Sequence, residues 1–271
     1  GQITIRHLLT HTSGIDYALI GSTELKAIYA KHGVPSGIGN DREVLGDKMK
    51  ILGSLPLKHH PGERWTYGLN HDVLGYLVEI WSGMSFDKFL KSRIFEPLGM
   101  KDTYFYLPGD KSNRLVGLHT YKDGKPVKMK EAPFDALNPN YPALNGTYFS
   151  GGAGLSSTTE DYAKFLQLFL NQGEYNGIKL LSRKTVELML TEQFPSLNIN
   201  YGLAFGLETE KIDDRSVFSR GSFSWGGAFA TTYWADPKER LIGLIYTNVY
   251  GNPYWQLSEK FKVLTYQSIS D

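Results

Sequence analysis

The sequence predicts an α+β fold: an antiparallel sheet flanked by helices, together with a largely helical region. Helical periodicity dominates the middle of the 271-residue chain, β-rich runs separated by turns follow residue 200, and one more helix closes the sequence. Helices and strands segregated in this way are typical of the α+β class. We therefore expect one domain over 1–271, with its helical region at about 15–195 and its sheet and closing helix at about 200–268.

The first two predicted helices lie before residue 82. Ile3–Leu9 is a short apolar helix pattern, and Gly14 can supply the left-handed residue that ends it. A second helix is predicted from Asp72 to Trp81, because apolar residues recur there every three or four positions. Its inward face would consist of Val73, Leu74, Leu77, Val78 and Trp81.

Two more helices are predicted on either side of a loop-rich stretch. One runs from about Ser85 to Phe95 and is expected to end before Pro97, since the residue that precedes a proline disfavours the helical conformation. Residues 106–147 are rich in proline and glycine and indicate a long loop or ribbon. Ser157–Asp161 then forms a capping signature that begins an amphipathic helix reaching to about Leu170.

The last third of the chain predicts a meander of strands and a closing helix. The predicted strands are Tyr201–Glu208, Val217–Phe223, Ala230–Trp234 and Leu241–Asn248. The final helix is predicted to start at Asn252–Pro253, a capping residue followed by proline at the first helical position. Its inward side chains would be Leu257, Phe261 and Leu264.

Composition excludes several function classes. The sequence has 29 Lys and Arg against 28 Asp and Glu, a net charge of +1, so no basic excess favours nucleic acid as a partner. No apolar run approaches the roughly 20 residues of a membrane span. The absence of cysteine excludes disulfides, a cysteine nucleophile and thiolate metal sites. It is compatible with a periplasmic or secreted location, and a cytoplasmic one stays open.

One histidine pair resembles a metal site. His7 and His11 stand four residues apart, as in zinc-binding helices, but Leu8 occupies the position of the protease glutamate. A buried or capping role is therefore predicted for both histidines. The sequence implies no metal and no organic cofactor.

Five segments stand in a specific order and spacing. They are Ile3–Gly14, Pro61–Tyr67 followed by Asp72–Gly75, Ile94–Met100, Gly154–Asp161, and Trp225–Gly227 ahead of Trp234–Pro237. Together they resemble the serine β-lactamase and penicillin-binding-protein superfamily, in a class C-like form whose motifs are most similar to those of family VIII carboxylesterases. The resemblance covers residues 3 to about 250. It implies a β-lactamase/transpeptidase-like fold and acyl transfer through an activated serine.

The resemblance assigns a catalytic tyrosine. A serine hydroxyl is a poor nucleophile until a base takes its proton, and the family places lysine one helical turn away in Ser-x-x-Lys, with a tyrosine completing the proton relay. Tyr67 matches that tyrosine; the alternative is a core aromatic residue beside Trp65. Many relatives read Tyr-x-Asn, whereas this chain has Leu69 in the amide position and Asn70 next to it. Both are candidate substrate-binding residues, and whether Asn70 substitutes stays open.

A second candidate segment is Trp225-Gly226-Gly227-Ala228, which stands where β-lactamases and peptidases carry Lys-Thr-Gly or a histidine variant. The glycines let the backbone approach substrate, and the resemblance assigns the second oxyanion donor to the Ala228 N–H. Trp225 offers an apolar face and one N–H donor without charge, which favours a neutral ester over an anionic lactam or peptide. The alternative is an ordinary glycine-rich β-turn.

The nucleophile is expected upstream of this chain. In the family, Ser-x-x-Lys precedes the segment that matches Ile3–Gly14. The one Ser-x-x-Lys in the sequence is Ser85–Lys88, where Ser85 is better explained as a helix cap with Asp87 in the first turn. We therefore expect a truncated or processed piece of a longer enzyme, inactive alone. The edge at Leu241–Tyr246 would pair with a missing N-terminal segment or another chain, and the piece would be prone to aggregate.

The predicted activity is that of a serine hydrolase acting through an acyl-enzyme, with small carboxylic esters as substrates. Within the same class, a D,D-peptidase or β-lactamase acting on an amide is the alternative. A non-catalytic binding relative, whose gene lacks the nucleophile altogether, is the alternative from another class.

Overall fold

The computed structural model describes residues 1–38, 42–131, 138–211, 216–253 and 256–270. Its α-helices are α1 (Ile5–Leu9), α2 (Thr23–Lys31), α3 (Leu45–Gly53), α4 (Asn70–Ser82), α5 (Phe86–Leu90), α6 (Glu96–Leu98), α7 (Thr159–Leu170), α8 (Arg183–Met189) and α9 (Gln256–Gln267). A π-helical turn, Lys91–Phe95, joins α5 to α6, and 3₁₀ turns cover Gly109–Arg114, Tyr141–Ala143 and Pro195–Leu197. Among the described residues, no helix combines the length and the apolar content of a membrane span.

The strands form two small hairpins and one larger sheet. They are β1 (His119–Lys122), β2 (Lys125–Lys128), β3 (Glu174–Tyr175), β4 (Ile178–Lys179), β5 (Gly206–Leu207), β6 (Phe223–Gly227), β7 (Thr231–Asp236) and β8 (Leu241–Tyr246). β1 pairs with β2 and β3 with β4, while the four-stranded antiparallel sheet has the order β5-β6-β7-β8. The predicted antiparallel sheet is confirmed, and β8 is its terminal strand within the described part of the chain.

The described residues divide into two compact units. One comprises residues 1–97, 101–115 and 130–157, and the other 98–100, 116–129 and 158–271. In the first, α4 packs against α1, α3 and α5; in the second, α7 lies against β7 and β8. Each unit has its own core, the first rich in aliphatic side chains around Leu45 and Leu69 and the second in aromatic rings around Phe169 and Phe223.

The first helix ends differently from the prediction. Its left-handed residue is His11 (φ 55°), not Gly14. The Thr12 N–H donates to the His7 carbonyl at 2.9 Å, which is the six-residue bond of a Schellman cap. Gly14 also has a positive φ, of 89°, but for another reason: a Cβ there would lie 2.3 Å from the His59 carbonyl oxygen. Close backbone approach, rather than helix capping, requires this glycine.

Two further boundaries differ from those predicted. The helix from Ser85 does not stop before Pro97. The wider π-turn at Lys91–Phe95 lets the backbone continue as α6, although proline has no N–H to donate to the preceding turn. The predicted strand Val217–Phe223 is wrong, since β6 begins at Phe223. The Trp225–Gly227 segment therefore belongs to a strand and not to a turn. By contrast, the predicted cap of α7 is confirmed by Thr158, whose side chain accepts the Asp161 N–H.

Three side chains predicted to point inward are exposed. Trp81 is 63% exposed in the last turn of α4, just before the left-handed Gly83 that ends the helix. In α9, Leu257 is 43% and Leu264 64% exposed. This helix docks instead through Phe261, whose ring packs edge-on against Trp234 at 5.4 Å. Its predicted start at Asn252–Pro253 adjoins residues 254 and 255, which lie outside the described residues.

Candidate active site

Tyr67 lies on a loop that runs alongside the segment after α1. The Thr66 N–H donates to the His11 carbonyl at 2.7 Å. A Cβ on Gly68 would lie 2.1 Å from the Ile15 carbonyl oxygen, so only glycine allows the two backbones to approach this closely. Close packing of the two backbones therefore requires the glycine that follows Tyr67 in the sequence. It fixes the loop that presents the phenol.

Three aromatic rings surround the half-buried Tyr67 side chain. Trp65 stacks on it with an interplanar angle of 11° and a centroid distance of 5.9 Å. The rings of Tyr17 and His11 lie tilted against it at 5.1 and 4.7 Å. These contacts hold the ring against the core of the first unit while part of the side chain stays exposed.

The histidines near Tyr67 are uncharged at neutral pH. Burial lowers the pKa of His11 well below its usual value, with a smaller contribution from His71. Burial also lowers the pKa of His71 to about 4. The two imidazoles lie 4.6 Å apart. Neither imidazole therefore places a positive charge beside the Tyr67 ring.

The predicted capping or buried roles of His7 and His11 are confirmed. His7 accepts the Thr4 N–H through Nδ1, which completes a capping box at the start of α1, and His11 is buried. Among the described residues, no group of three His, Asp or Glu side chains is arranged to hold a metal ion.

Leu69 and Asn70, predicted as substrate contacts, are both fully buried. The Ser13 hydroxyl donates to Asn70 Oδ1 at 2.5 Å, and Asn70 Nδ2 lies 3.0 Å from Nδ1 of His11. The amide therefore joins the start of α4 to the turn after α1. Leu69 belongs to the core of the first unit. The structure gives both residues a supporting role below Tyr67, without surface that substrate could touch.

Ser85 occupies the predicted cap position of α5 in an extended conformation, with Asp87 in the first turn. Its hydroxyl makes no capping hydrogen bond. The N–H of Phe86, the first helical residue, donates instead to Oε1 of Glu79 at 2.9 Å. Ser85 remains best explained as a helix-start residue.

The second candidate segment forms the β6–β7 hairpin. Trp225, Gly226 and Gly227 end β6, and Ala228 begins a three-residue loop whose last residue, Ala230, has a left-handed φ of 56°. This is a common hairpin connection, in which the residue with positive φ closes the turn. The Ala230 N–H donates to the Gly227 carbonyl at 3.1 Å. Ala228 is exposed at the tip.

Residues after β8 brace this hairpin loop. The Val249 N–H donates to the Phe229 carbonyl at 2.8 Å, and the Thr247 hydroxyl donates to the Ala230 carbonyl at 2.9 Å. A backbone N–H stabilises a developing oxyanion best when its direction is fixed beforehand. The brace fixes the loop backbone that carries the Ala228 N–H. Nothing in the local sequence indicates that Thr247 has this role.

The Trp225 indole is held between two neighbours. Tyr201 meets it edge-on at 5.2 Å and 75°. A Cβ on Gly206 would lie 3.5 Å from the indole, so the ring lies over that glycine. Trp225 is partly exposed. The arrangement presents a fixed, uncharged aromatic surface.

The structure thus brings together the predicted residues in two sets. In the first unit, Tyr67 and Leu69 lie on the loop that leads into Asn70, the first residue of α4, and in the second unit Trp225–Ala228 lie on one hairpin. Sequence reasoning did not identify Tyr17 and Tyr201 as the ring neighbours of Tyr67 and Trp225. An isolated tyrosine carries no signal of what its ring contacts.

Comparison with known proteins extends these observations. The chain is 28% identical over 262 residues to the esterase EstB of Burkholderia gladioli, an alignment covering 91% of this chain and 64% of that protein. It is 30% identical over 274 residues to monacolin J acid methylbutanoyltransferase of Aspergillus terreus, covering 91% of this chain and 62% of that protein. The chain therefore spans little more than three fifths of the length of these relatives.

The fold is also found in solved structures. EstCE1, described as a hydrolase with promiscuous acyltransferase activity, superposes with a TM-score of 0.86 at 22% identity, covering 97% of this chain and 72% of that one. The β-lactamase/transpeptidase-like fold expected from the sequence is thereby confirmed. The family description "Beta-lactamase" matches residues 1–266. With nearly its whole length matched, the chain belongs to the beta-lactamase family.

Proposed function

We propose that this chain supplies the proton-relay tyrosine and one oxyanion donor of a serine esterase that acts on small carboxylic esters through an acyl-enzyme. The family includes esterases and acyltransferases among the relatives of this chain. The observation that carries the ester assignment is the Trp225 surface. Where a positively charged side chain would attract a substrate carboxylate, this chain holds an uncharged indole against Tyr201.

The proposed reaction uses a serine from a Ser-x-x-Lys outside the 271 residues. Tyr67, together with that lysine, takes the hydroxyl proton as the serine oxygen forms a bond to the ester carbonyl carbon. The carbonyl oxygen becomes an oxyanion that accepts a hydrogen bond from the Ala228 N–H. When the intermediate collapses, the bond to the alkoxy oxygen breaks and that oxygen receives the proton. Water then attacks the acyl-enzyme by the same route and releases the acid.

Tyr67→Phe tests this role in the longer protein that contains the chain. The ring and its packing are kept, and only the hydroxyl is lost. We expect kcat on p-nitrophenyl butyrate to fall by about 10²–10⁴-fold. Tyr104→Phe is the matched control, because its hydroxyl donates to the exposed Lys101 carbonyl; kcat should stay within about twofold. Equal kcat for Tyr67→Phe and the wild type would refute the assignment.

Substrate preference tests the tryptophan argument. The wild-type protein should hydrolyse p-nitrophenyl butyrate in preference to a chromogenic cephalosporin, and Trp225→Lys should shift the ratio of the two kcat/KM values toward the cephalosporin. A wild-type preference for the cephalosporin would support a β-lactamase or peptidase instead. If a fluorophosphonate probe does not label the longer protein and its gene has no Ser-x-x-Lys, the non-catalytic alternative is correct.

Acyl transfer to an alcohol is a second candidate, favoured by the name of the methylbutanoyltransferase relative. The same acyl-enzyme serves both reactions, and the difference lies in whether water or an alcohol attacks it. Adding a primary alcohol to the butyrate assay and quantifying ester against free acid distinguishes them. A product ratio above the alcohol-to-water molar ratio indicates transferase activity, while acid alone indicates an esterase.

A further inference from the structure

Asp16 carries a buried carboxylate, 2% exposed, in the segment between α1 and α2. Its Oδ1 accepts the Tyr17 N–H at 3.0 Å, and its Oδ2 accepts the Ser22 N–H at 2.8 Å. Nζ of Lys58 lies 3.2 Å from the same Oδ2. Burial by itself raises the pKa of this carboxyl group, but the hydrogen bonds from Ser22, Tyr17 and Lys58 lower it overall, so Asp16 is charged at neutral pH.

The two backbone hydrogen bonds to Asp16 close a turn over residues 17–22. Within it, the Gly21 N–H donates to the Tyr17 carbonyl at 3.2 Å. A Cβ on Gly21 would lie 2.3 Å from that carbonyl oxygen and 2.6 Å from Cγ of Asp16, so the turn has room only for glycine at this position. A buried charge is tolerated only when it is paired and hydrogen-bonded, and here both ends of the turn provide the donors. One side chain therefore fixes the geometry of the whole turn.

Asp16 is connected to Tyr67 by two routes. The first is the turn, because the Tyr17 ring at its start lies against the Tyr67 ring with a centroid distance of 5.1 Å. The second is the backbone, because the Asp16 carbonyl accepts the N–H of Leu69, two residues beyond Tyr67, at 3.3 Å. Asp16 is itself held by α2, whose buried Tyr29 hydroxyl accepts the Asp16 N–H at 3.3 Å. Asp16 thus links α2, the turn that carries Tyr17 and the loop that carries Tyr67.

We propose that Asp16 is a positioning residue for Tyr67. By closing the turn, its carboxylate sets where the Tyr17 ring lies, and that ring fixes the tilt of the Tyr67 phenol. The inference rests on the proposed function for the role of Tyr67 in the proton relay, whereas the positioning of the ring does not depend on it. A displacement of about 1 Å in a catalytic group can lower a rate by about 10²-fold. Loosening the turn should therefore lower kcat without weakening substrate binding.

Asp16→Asn in the longer protein that contains the chain tests this role. The amide keeps one acceptor oxygen and replaces the other with a donor, so one of the two backbone N–H groups loses its partner. We expect kcat on p-nitrophenyl butyrate, per active site titrated with a fluorophosphonate, to fall by about 10-fold while KM stays within about twofold. Partial unfolding alone would lower the number of titrated sites and leave kcat per site unchanged.

Asp161→Asn is the matched control. Asp161 is also buried, and its Oδ1 is paired with Lys164 in α7 at 3.0 Å. The chemical change is the same and removes a carboxylate of similar burial, so kcat per site should equal that of the wild type. An equal loss of kcat per site in Asp161→Asn would overturn the specific role of Asp16.

Two further variants separate the turn from the ion pair. Lys58→Met removes the ion pair and leaves both backbone hydrogen bonds to Asp16; because the Lys58 side chain is 37% exposed, kcat per site should stay within about twofold. Gly21→Ala keeps the carboxylate but forces the turn apart, and it should lower kcat as Asp16→Asn does. It decides the matter if Asp16→Asn does not fold. Unchanged kcat in Gly21→Ala, or a loss in Lys58→Met equal to that in Asp16→Asn, overturns the proposal.

An NMR measurement without substrate separates this inference from the proposed function. With ¹³C-labelled tyrosine rings and signals assigned from Phe variants, Asp16→Asn and Gly21→Ala should move the Tyr17 and Tyr67 signals, whereas Asp161→Asn should not. Moved signals in a protein whose Tyr67→Phe variant keeps the wild-type kcat would contradict the proposed function alone. Unmoved signals in a protein whose kcat depends on Tyr67 would contradict this inference alone.

Discussion

The surroundings of Tyr67 and the Trp225–Ala228 hairpin are built in opposite ways. Tyr67 lies above buried polar contacts between distant segments, such as the hydrogen bond between Ser13 and Asn70, 57 residues apart. The hairpin joins two neighbouring strands through a three-residue loop, and its tip is exposed. The first region therefore depends on long-range packing and on buried ionisable groups. The second depends on local backbone geometry, with a brace from the residues after β8.

The largest expected effect is a dependence of the free energy of unfolding on pH, and it arises from Asp72 in α4. Burial raises the pKa of Asp72 in the folded protein from its ordinary value of 3.8 to about 7. The folded protein thus holds a proton that the unfolded chain releases. The contribution of Asp72 to the free energy of unfolding is fully present below about pH 4 and is lost as pH rises toward 7. Over that interval, the free energy of unfolding of Asp72→Asn should rise relative to that of the wild type, by up to about 4 kcal/mol.

Urea unfolding of both proteins at pH 4.5, 6 and 8 measures that difference. A comparison with the wild type is required because His71 acts in the opposite direction. Its pKa is lowered to about 4, so its contribution to stability grows as pH rises from 4 to 6.5. A constant difference between Asp72→Asn and the wild type across this range would show that Asp72 ionises normally.

A glycine substitution sharpens the contrast between the regions. In Gly68→Ala, the new Cβ meets the Ile15 carbonyl at 2.1 Å, and a backbone atom held by long-range contacts has little freedom to move. We expect a loss of about 3 kcal/mol in the free energy of unfolding. Gly109→Ala is the control, since no atom lies within 4 Å of its new Cβ. Similar losses for the two variants would contradict the explanation by close backbone approach.

The same substitution in the hairpin should have the smallest effect. In Gly227→Ala, the new Cβ meets Oγ1 of Thr231 at 2.3 Å, but a side-chain hydroxyl can rotate away. We expect a loss of about 1 kcal/mol, most of it recovered in the double variant Gly227→Ala/Thr231→Ala. A double-mutant cycle in urea measures this recovery. A loss as large as that of Gly68→Ala, without recovery, would show that the hairpin is as constrained as the Tyr67 loop.

Local patterns predicted local structure well. The cap at Thr158 and the start of α7 follow from a few adjacent side chains, and the structure confirms both. Predictions that depended on distant neighbours failed more often. Leu257 and Leu264 fit the apolar periodicity of α9, but the helix is rotated so that Phe261 and Tyr266 make the contacts, with the Tyr266 hydroxyl donating to Asp236 at 2.6 Å. Periodicity identifies a face, whereas the partners decide its orientation.

By itself, the sequence determined the family, the α+β class, and the two segments that carry Tyr67 and Trp225, since these follow from short motifs in a fixed order. Only the tertiary structure decided that Asn70 is a buried tether and that Asp72 is buried with one carboxyl oxygen that has no hydrogen-bond partner among the described residues. The physical reason is that the cost of burying a polar group depends on which atoms surround it. Those atoms come from residues far away in the chain.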